Sequence, residues 1–181
     1  MRFFACCILI AIIGSAFAFS APEDLELPFE DEGACPFECC TYRQWTVARD
    51  TVLQESPRID ARASFSLKKG EPVKGLTGIV ITLKPGRAVV KKAVTLGLDD
   101  RVTTRVGDVL NILHYEGEGV VKFWLRGKTY SDELPFPGEE NESIKTETAP
   151  ETLWWVQVQN TKGRTGWSKE PDHFDHMDSC E

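Results

Sequence analysis

Beyond residue 19 the chain has no apolar run long enough to cross a bilayer, and no Lys/Arg-rich stretch stands out anywhere. The first absence argues against a stable membrane span. The second, with a formal charge of −7, argues against a nucleic-acid partner, because such binding rests on neutralising phosphates. No window carries a sustained 3.6-residue apolar stripe bounded by caps, so helical bundles are excluded. Histidine is scarce at 3 residues, and there is no Gly-x-Ser-x-Gly elbow, no His-Glu-x-x-His and no phosphate-cradling glycine loop. The parts of the common hydrolytic and nucleotide chemistries are therefore missing, and the chain reads as a non-enzyme with no cofactor.

What is present begins with an export label. Arg2 precedes an apolar run from Phe3 to Phe19, and Ala16-Phe17-Ala18 puts small residues at the −3 and −1 positions of a cleavage site. That pattern is a secretory signal peptide over 1–18, which takes Cys6 and Cys7 away with it. The mature protein is expected outside the cytoplasm, periplasmic or extracellular. Ala21 to Gly33 is rich in Asp and Glu and reads as a solvated acidic leader.

From Trp45 short apolar runs alternate with Gly, Pro and charge. Thr46–Leu53, Ser64–Leu67, Val73–Leu83, Ala88–Leu96, Asp108–Tyr115, Val120–Arg126 and Leu153–Gln159 all have the Val/Ile/Thr/aromatic content of strands. The fold class is all-β with little helix, a small barrel or sandwich. The stretch 131–151, with three prolines and seven acids, reads as a long loop, and Asn141-Glu142-Ser143 within it fits a glycosylation acceptor.

Four cysteines remain after cleavage: Cys35, Cys39, Cys40 and Cys180. An even number in an exported chain points to disulfides. Of the three pairings, the one joining adjacent Cys39 and Cys40 is strained, and the other two tie Cys180 to the N-terminal cluster. A zinc- or thiol-dependent module is the alternative, with Cys35, Cys39, His173, His176 and Cys180 as its donors. Otherwise the Asp/His-rich segment 169–181 reads as a solvated tail.

Lys69-Gly70-Glu71-Pro72-Val73-Lys74-Gly75-Leu76 can be laid over Val106-Gly107-Asp108-Val109-Leu110-Asn111-Ile112-Leu113. Two copies of a Gly-acid turn feeding an apolar strand indicate a duplicated β unit. Thr51-Val52-Leu53-Gln54-Glu55-Ser56-Pro57 looks like an opening strand and first loop, Leu67 to Val73 like a hydrophobic-Gly-acid turn. Trp154-Trp155-Val156-Gln157-Val158, with Lys162 to Trp167, looks like a closing hairpin that ends in Gly-Trp. Together these resemble bacterial SH3-like (SH3b) domains, although the stretch before Trp154 is longer than the family pattern. The resemblance implies a small barrel of bent antiparallel strands. It also implies binding of an envelope protein, a peptide or a cell-wall fragment rather than catalysis. Units at 45–98 and 99–168 are expected, packed together, after a leader and cysteine cluster over 19–44.

Alternation also sorts the aromatics. Along Val121–Leu125, Trp124 shares a face with Lys122 and Arg126. Along Trp154–Gln159, Trp155 lies with the glutamines, away from Trp154, Val156 and Val158. An outward recognition face of Trp124, Trp155, Lys122 and Arg126 is therefore expected, with Tyr115 as its neighbour.

Overall fold

The computed structural model describes residues 24–139 and 141–180. The signal peptide over 1–18, with Cys6 and Cys7, lies outside the described residues. Fifteen strands follow in order: β1 (Phe29–Glu32), β2 (Gln44–Val47), β3 (Thr51–Gln54), β4 (Ala63–Leu67), β5 (Pro72–Lys84), β6 (Gly86–Val90), β7 (Thr95–Leu96), β8 (Val102–Thr103), β9 (Val109–Gly117), β10 (Val120–Leu125), β11 (Lys128–Glu133), β12 (Ile144–Thr148), β13 (Glu151–Asn160), β14 (Thr165–Ser168) and β15 (Phe174–Asp175). A single 3-10 turn, Pro171–His173, is the only helical element among the described residues. The described residues are all-β, as the short apolar runs between Gly, Pro and charge lead one to expect.

The strands pair as two copies of one plan. One sheet runs β15-β2-β5-β13-β14-β3-β4, and the other β12-β6-β9-β10-β11, with the β7–β8 ribbon beside it. The ribbon is held to β11 by the Leu98 N–H, which donates to Ser131 O at 2.9 Å. Position for position, β2, β3, β4, β5, β13, β14 and β15 match β6, β7, β8, β9, β10, β11 and β12. The order in each is a first strand, a hairpin-bearing loop, three meandering strands and a closing strand on the first, a barrel-like arrangement.

The register agrees residue by residue. Trp45 faces Val73 across β2–β5, and Ala88 faces Leu110 across β6–β9. Phe174 faces Val47 at one closure and Ile144 faces Val90 at the other. The repeated Gly-acid motif is the same turn twice. Gly70 N–H donates to Val47 O at 2.7 Å and Gly107 N–H to Val90 O at 2.9 Å. Val47 N–H donates to Glu71 O and Val90 N–H to Asp108 O, both at 3.0 Å. The two glycines have φ of 86° and 90°, and a Cβ on either would meet nothing, so left-handed backbone is the reason for glycine there.

The boundaries are not those read from the sequence. Strands β13 and β14 pair with β5 and β3, so residues 151–168 complete the first barrel rather than the second. The second barrel, Gly86 to Thr148, is inserted between β5 and β13, which pair along their lengths from Glu151↔Lys84 to Asn160↔Val73. The long stretch before Trp154 is therefore the end of a whole inserted domain. Its 131–151 segment is not one loop: it holds the end of β11 and all of β12, whose Ile144 and Thr146 point into the core.

Both ends of the chain are also more structured than their charge suggests. In the acidic leader, β1 pairs with β5, and its burial alternates, with Phe29 and Asp31 turned inward. The tail closes the first barrel through β15, where Phe174 is buried among Trp45, Val47 and Val158. One bridge joins Cys35 to Cys40 and another Cys39 to Cys180, with Cα separations of 5.5 and 5.7 Å. The second ties the closing strand to the chain just before β2.

Sequence separations of 5 and 141 residues make the two bridges unequal. On the chain-entropy model the short loop contributes about 2 kcal/mol and the long one about 5 kcal/mol. Denaturant melts should show the Cys39→Ser/Cys180→Ser pair losing roughly 3 kcal/mol more than Cys35→Ser/Cys40→Ser. Equal losses would contradict closure of the first barrel by the tail.

Candidate functional site

The expected recognition face does not assemble. Trp155 is 1 % exposed and packs with Ile79 and Ile81, under half-buried Leu153 and Trp167. Strand β13 lies between β5 and β14, and side chains cover both its faces. Alternation assigns Trp155 to a face but does not say that the face is covered. Trp154, expected inward, is half-buried, its ring 5.8 Å from that of Phe37 and edge-on to it.

On β10 the alternation is right, with Val121, Phe123 and Leu125 in the core. Its other face is occupied rather than free. Trp124 is half-buried with an indole N–H that has no partner. Arg126 turns out of the strand in left-handed backbone, φ 50°, and its guanidinium pairs with Asp108. Lys122 reaches Asp31 at 2.6 Å and Glu116 at 3.3 Å. Of the five residues, Tyr115 lines an apolar groove and Lys122 borders a smaller polar one.

Asp31, Lys122, Glu116 and His114 form a polar lock between the barrels. His114 is 2 % exposed; its Nε2 lies 2.7 Å from Asp31 Oδ2 and its Nδ1 2.9 Å from Tyr115 O. Nearby, the buried Thr82 hydroxyl of β5 donates to Leu113 O of β9 at 2.8 Å. Asp31 thus carries the first barrel's added strand onto the second barrel. Burial works against ionisation of Asp31, but hydrogen bonds from His114 and Lys122, with the Lys122 charge, outweigh it and hold its carboxyl below the usual range. Burial likewise opposes the Lys122 charge, and Asp31 and Glu116 outweigh it, pushing that amine up. The oxygens and nitrogen of Asp31, His114 and Glu116 are close enough to surround a cation, yet the Lys122 ammonium already supplies the positive charge there.

The groove that Tyr115 lines lies at one end of the second barrel. Ile112 of β9, Val121 of β10 and Thr146 of β12 form its floor. Leu134, Pro135, Phe136, Pro137, Ala149, Pro150 and Thr152 also line it; its volume is about 260 Å³. The Tyr115 and Phe136 rings stand 6.0 Å apart at 46°, and Phe136 is 48 % exposed. Gly119 N–H donates to Tyr115 Oη at 3.1 Å and fixes that ring. Thr146 is 5 % exposed, and its hydroxyl has no hydrogen-bond partner. Sequence reasoning missed Phe136 and Thr146 because both fell in what read as a loop. The Pro135-Phe136-Pro137 triplet was the available signal, since an aromatic held between prolines has little conformational freedom to lose.

The zinc alternative loses its sulfur donors. Cys35, Cys39 and Cys180 are all in disulfides and offer no thiolate. His173 Nδ1 faces Glu170 at 3.2 Å, and the carbonyl of His176 accepts from Arg43 Nε at 2.9 Å. Among the described residues no helix is long and apolar enough to cross a membrane. Comparison with protein-family models, curated proteins and solved structures gives no match to the chain.

Two outcomes follow for the buried groups. Trp155→Ala should cost roughly 3–5 kcal/mol in a denaturant melt, as core tryptophans do; a loss below 1 kcal/mol would return Trp155 to the surface. For the lock, Asp31's depressed pKa contributes stability that is complete above its ordinary value of 3.8 and is lost as pH falls through the lowered one. Asp31→Asn should destabilise the protein by about 1–3 kcal/mol at neutral pH. It should also flatten the decline between about pH 5 and 2. Parallel acid limbs for wild type and variant would rule the lock out as a source of acid sensitivity.

Proposed function

We propose that this protein is an exported, non-catalytic SH3-like binding module of the cell envelope, and that it recognises a peptide segment of a protein partner or of the cell wall. The Tyr115–Phe136 groove carries the reading: it is an apolar concavity lined by two aromatic rings and three prolines. Sites of that character suit recognition of a side chain rather than bond-breaking chemistry. The two disulfides fit an oxidising, exported setting. The absence of catalysis is supported by the engagements of the reactive types. His114 is held by Asp31 and Tyr115 O, and the cysteines of the described chain are oxidised.

A random-peptide display library panned against the immobilised mature chain tests the reading. Sequences should be enriched by the wild type and lost with Phe136→Ala. That side chain is largely exposed, so its truncation should change stability by less than about 1 kcal/mol. Identical enriched pools for wild type and variant would overturn the groove as the binding site.

A further inference from the structure

One turn ties down the parts of the groove that carry its rings. Gly117, Glu118 and Gly119 lead from β9 into β10 with φ of 116°, 51° and 82°, left-handed backbone at each. Gly119 N–H donates to Tyr115 Oη at 3.1 Å. Gly119 O accepts the Leu134 N–H at 3.4 Å, immediately before the Pro135-Phe136-Pro137 triplet. A single residue thus holds the Tyr115 ring and the start of the segment that presents Phe136. Its two glycines give the turn little conformational preference of its own, and left-handed backbone is disfavoured at Glu118. Such a turn needs support from outside.

The cysteine cluster supplies it. A Cβ on Gly117 would lie 3.0 Å from Glu38 N and 3.1 Å from Glu38 Cα, so the backbone of the ring closed by Cys35 and Cys40 rests directly on the turn. Inside the ring, Phe37 N–H donates to Cys35 O at 3.0 Å and Cys40 N–H to Phe37 O at 3.2 Å. The Phe37 side chain reaches the other way, edge-on to Trp154 of the first barrel at 5.8 Å. The Tyr42 hydroxyl donates to Ala34 O, just ahead of the ring. The ring therefore touches one barrel with a side chain and the other with its backbone. The Cys39–Cys180 bridge serves the tail instead, where Ser179 N–H donates to Cys39 O at 2.8 Å.

We propose that closure of the Cys35–Cys40 ring completes the groove. Oxidation of this pair seats Phe37 and Glu38 between the barrels, and the seated ring holds the Gly117–Gly119 turn that positions Tyr115 and Leu134. The inference rests on the binding-module reading and adds how its site is assembled and regulated. The oxidant is a disulfide-carrying protein or small molecule of the oxidising compartment. One cysteine thiolate attacks the oxidant's disulfide, forming a mixed disulfide and releasing one oxidant thiolate. The second cysteine thiolate attacks the protein sulfur of that mixed disulfide, forming the Cys35–Cys40 bond and releasing the other. Two protein thiols are oxidised, and the oxidant leaves as thiols that carry their two protons. Before closure the segment has more freedom to lose on seating, which opposes it. Binding competence is then acquired with export.

Hydrogen exchange of the Gly119 and Leu134 amides, followed by NMR on the full mature chain, reads the turn with no ligand present. In Cys35→Ser/Cys40→Ser both amides should exchange roughly 10-fold faster than in wild type, while the amides of Leu110 and Phe123 in the second barrel's core keep their rates. Phe37→Ala, which leaves both bridges closed, should accelerate the same two amides several-fold. Unchanged rates at Gly119 and Leu134 in the double variant overturn the proposal. So does an equal acceleration at Leu110 and Phe123, which reports loosening of the whole barrel. Either result leaves the binding-module reading standing, since no ligand enters the measurement. Display selections indifferent to Phe136 sink that reading, while accelerated exchange would still assign the ring its hold on the turn.

Discussion

Everything else in this fold depends on β5 finding β13 across an inserted domain. The two strands pair along their full lengths, although residues 85–150 lie between them in the chain. Without that pairing the first barrel has no middle: β2 and β1 hang on one side of β5, and β14, β3 and β4 hang on the far side of β13. A closure over so many residues carries a loop entropy that grows only logarithmically with length. It becomes far smaller if the inserted barrel folds first and brings its two ends together. Gly86 and Thr148 are such ends. A Cβ on Gly86 would come within 2.6 Å of Thr148 O, so the entry and exit of the insert touch. The glycine is required by that contact, since its φ is not among the left-handed ones.

Three further devices hold the assembly that this pairing creates. The cysteine cluster fixes both ends of the first barrel. The Asp31 lock and the Thr82 hydroxyl fix one barrel against the other. Of the three buried clusters, the one around Phe123 and Leu110 lies in the second barrel, while those around Trp45 and Val156 and around Trp155 lie on strands of the first. A polar lock in that position sets orientation more than it adds stability, because desolvation consumes much of the gain from a buried ion pair.

Strands β4, β5, β9, β10 and β13 were legible in the sequence because alternation is a local property, whereas β11, β12 and β15 were not. The repeated turn was legible because a Gly-acid pair at fixed spacing from an apolar strand records one backbone geometry. The pairing order was not, since nothing local marks β13 as the partner of β5 rather than of β10. The same blindness misplaced Trp155, whose face is set by which neighbours cover the sheet. Charge misled at both termini. Asp31 and Phe174 sit on short strands, β1 with Phe29 and Asp31 turned inward and β15 with Phe174 alone, and so few inward residues are below what periodicity resolves. The candidate groove was only partly visible, through Tyr115. Its other parts come from Ile144–Thr148, a strand hidden among acids and prolines.

The two copies of the plan differ in how one end of the barrel is filled. A barrel end filled by Trp45, Tyr42 and Phe174 contributes burial and offers nothing to a ligand. The matching end of the second barrel has Ala88 and Pro85 there, with Ile112 and Tyr115 where the first has Gly75 and Gly78, and it leaves Phe136 48 % exposed. The first barrel carries both disulfides, and its strands β5 and β13 anchor the two ends of the inserted barrel. The asymmetry has a direction as well. The open end belongs to the inserted barrel, whose termini are pinned within contact distance of each other. An occupant at the groove therefore meets walls, at Pro135–Pro137 and Ala149–Pro150, that have little freedom to lose on binding.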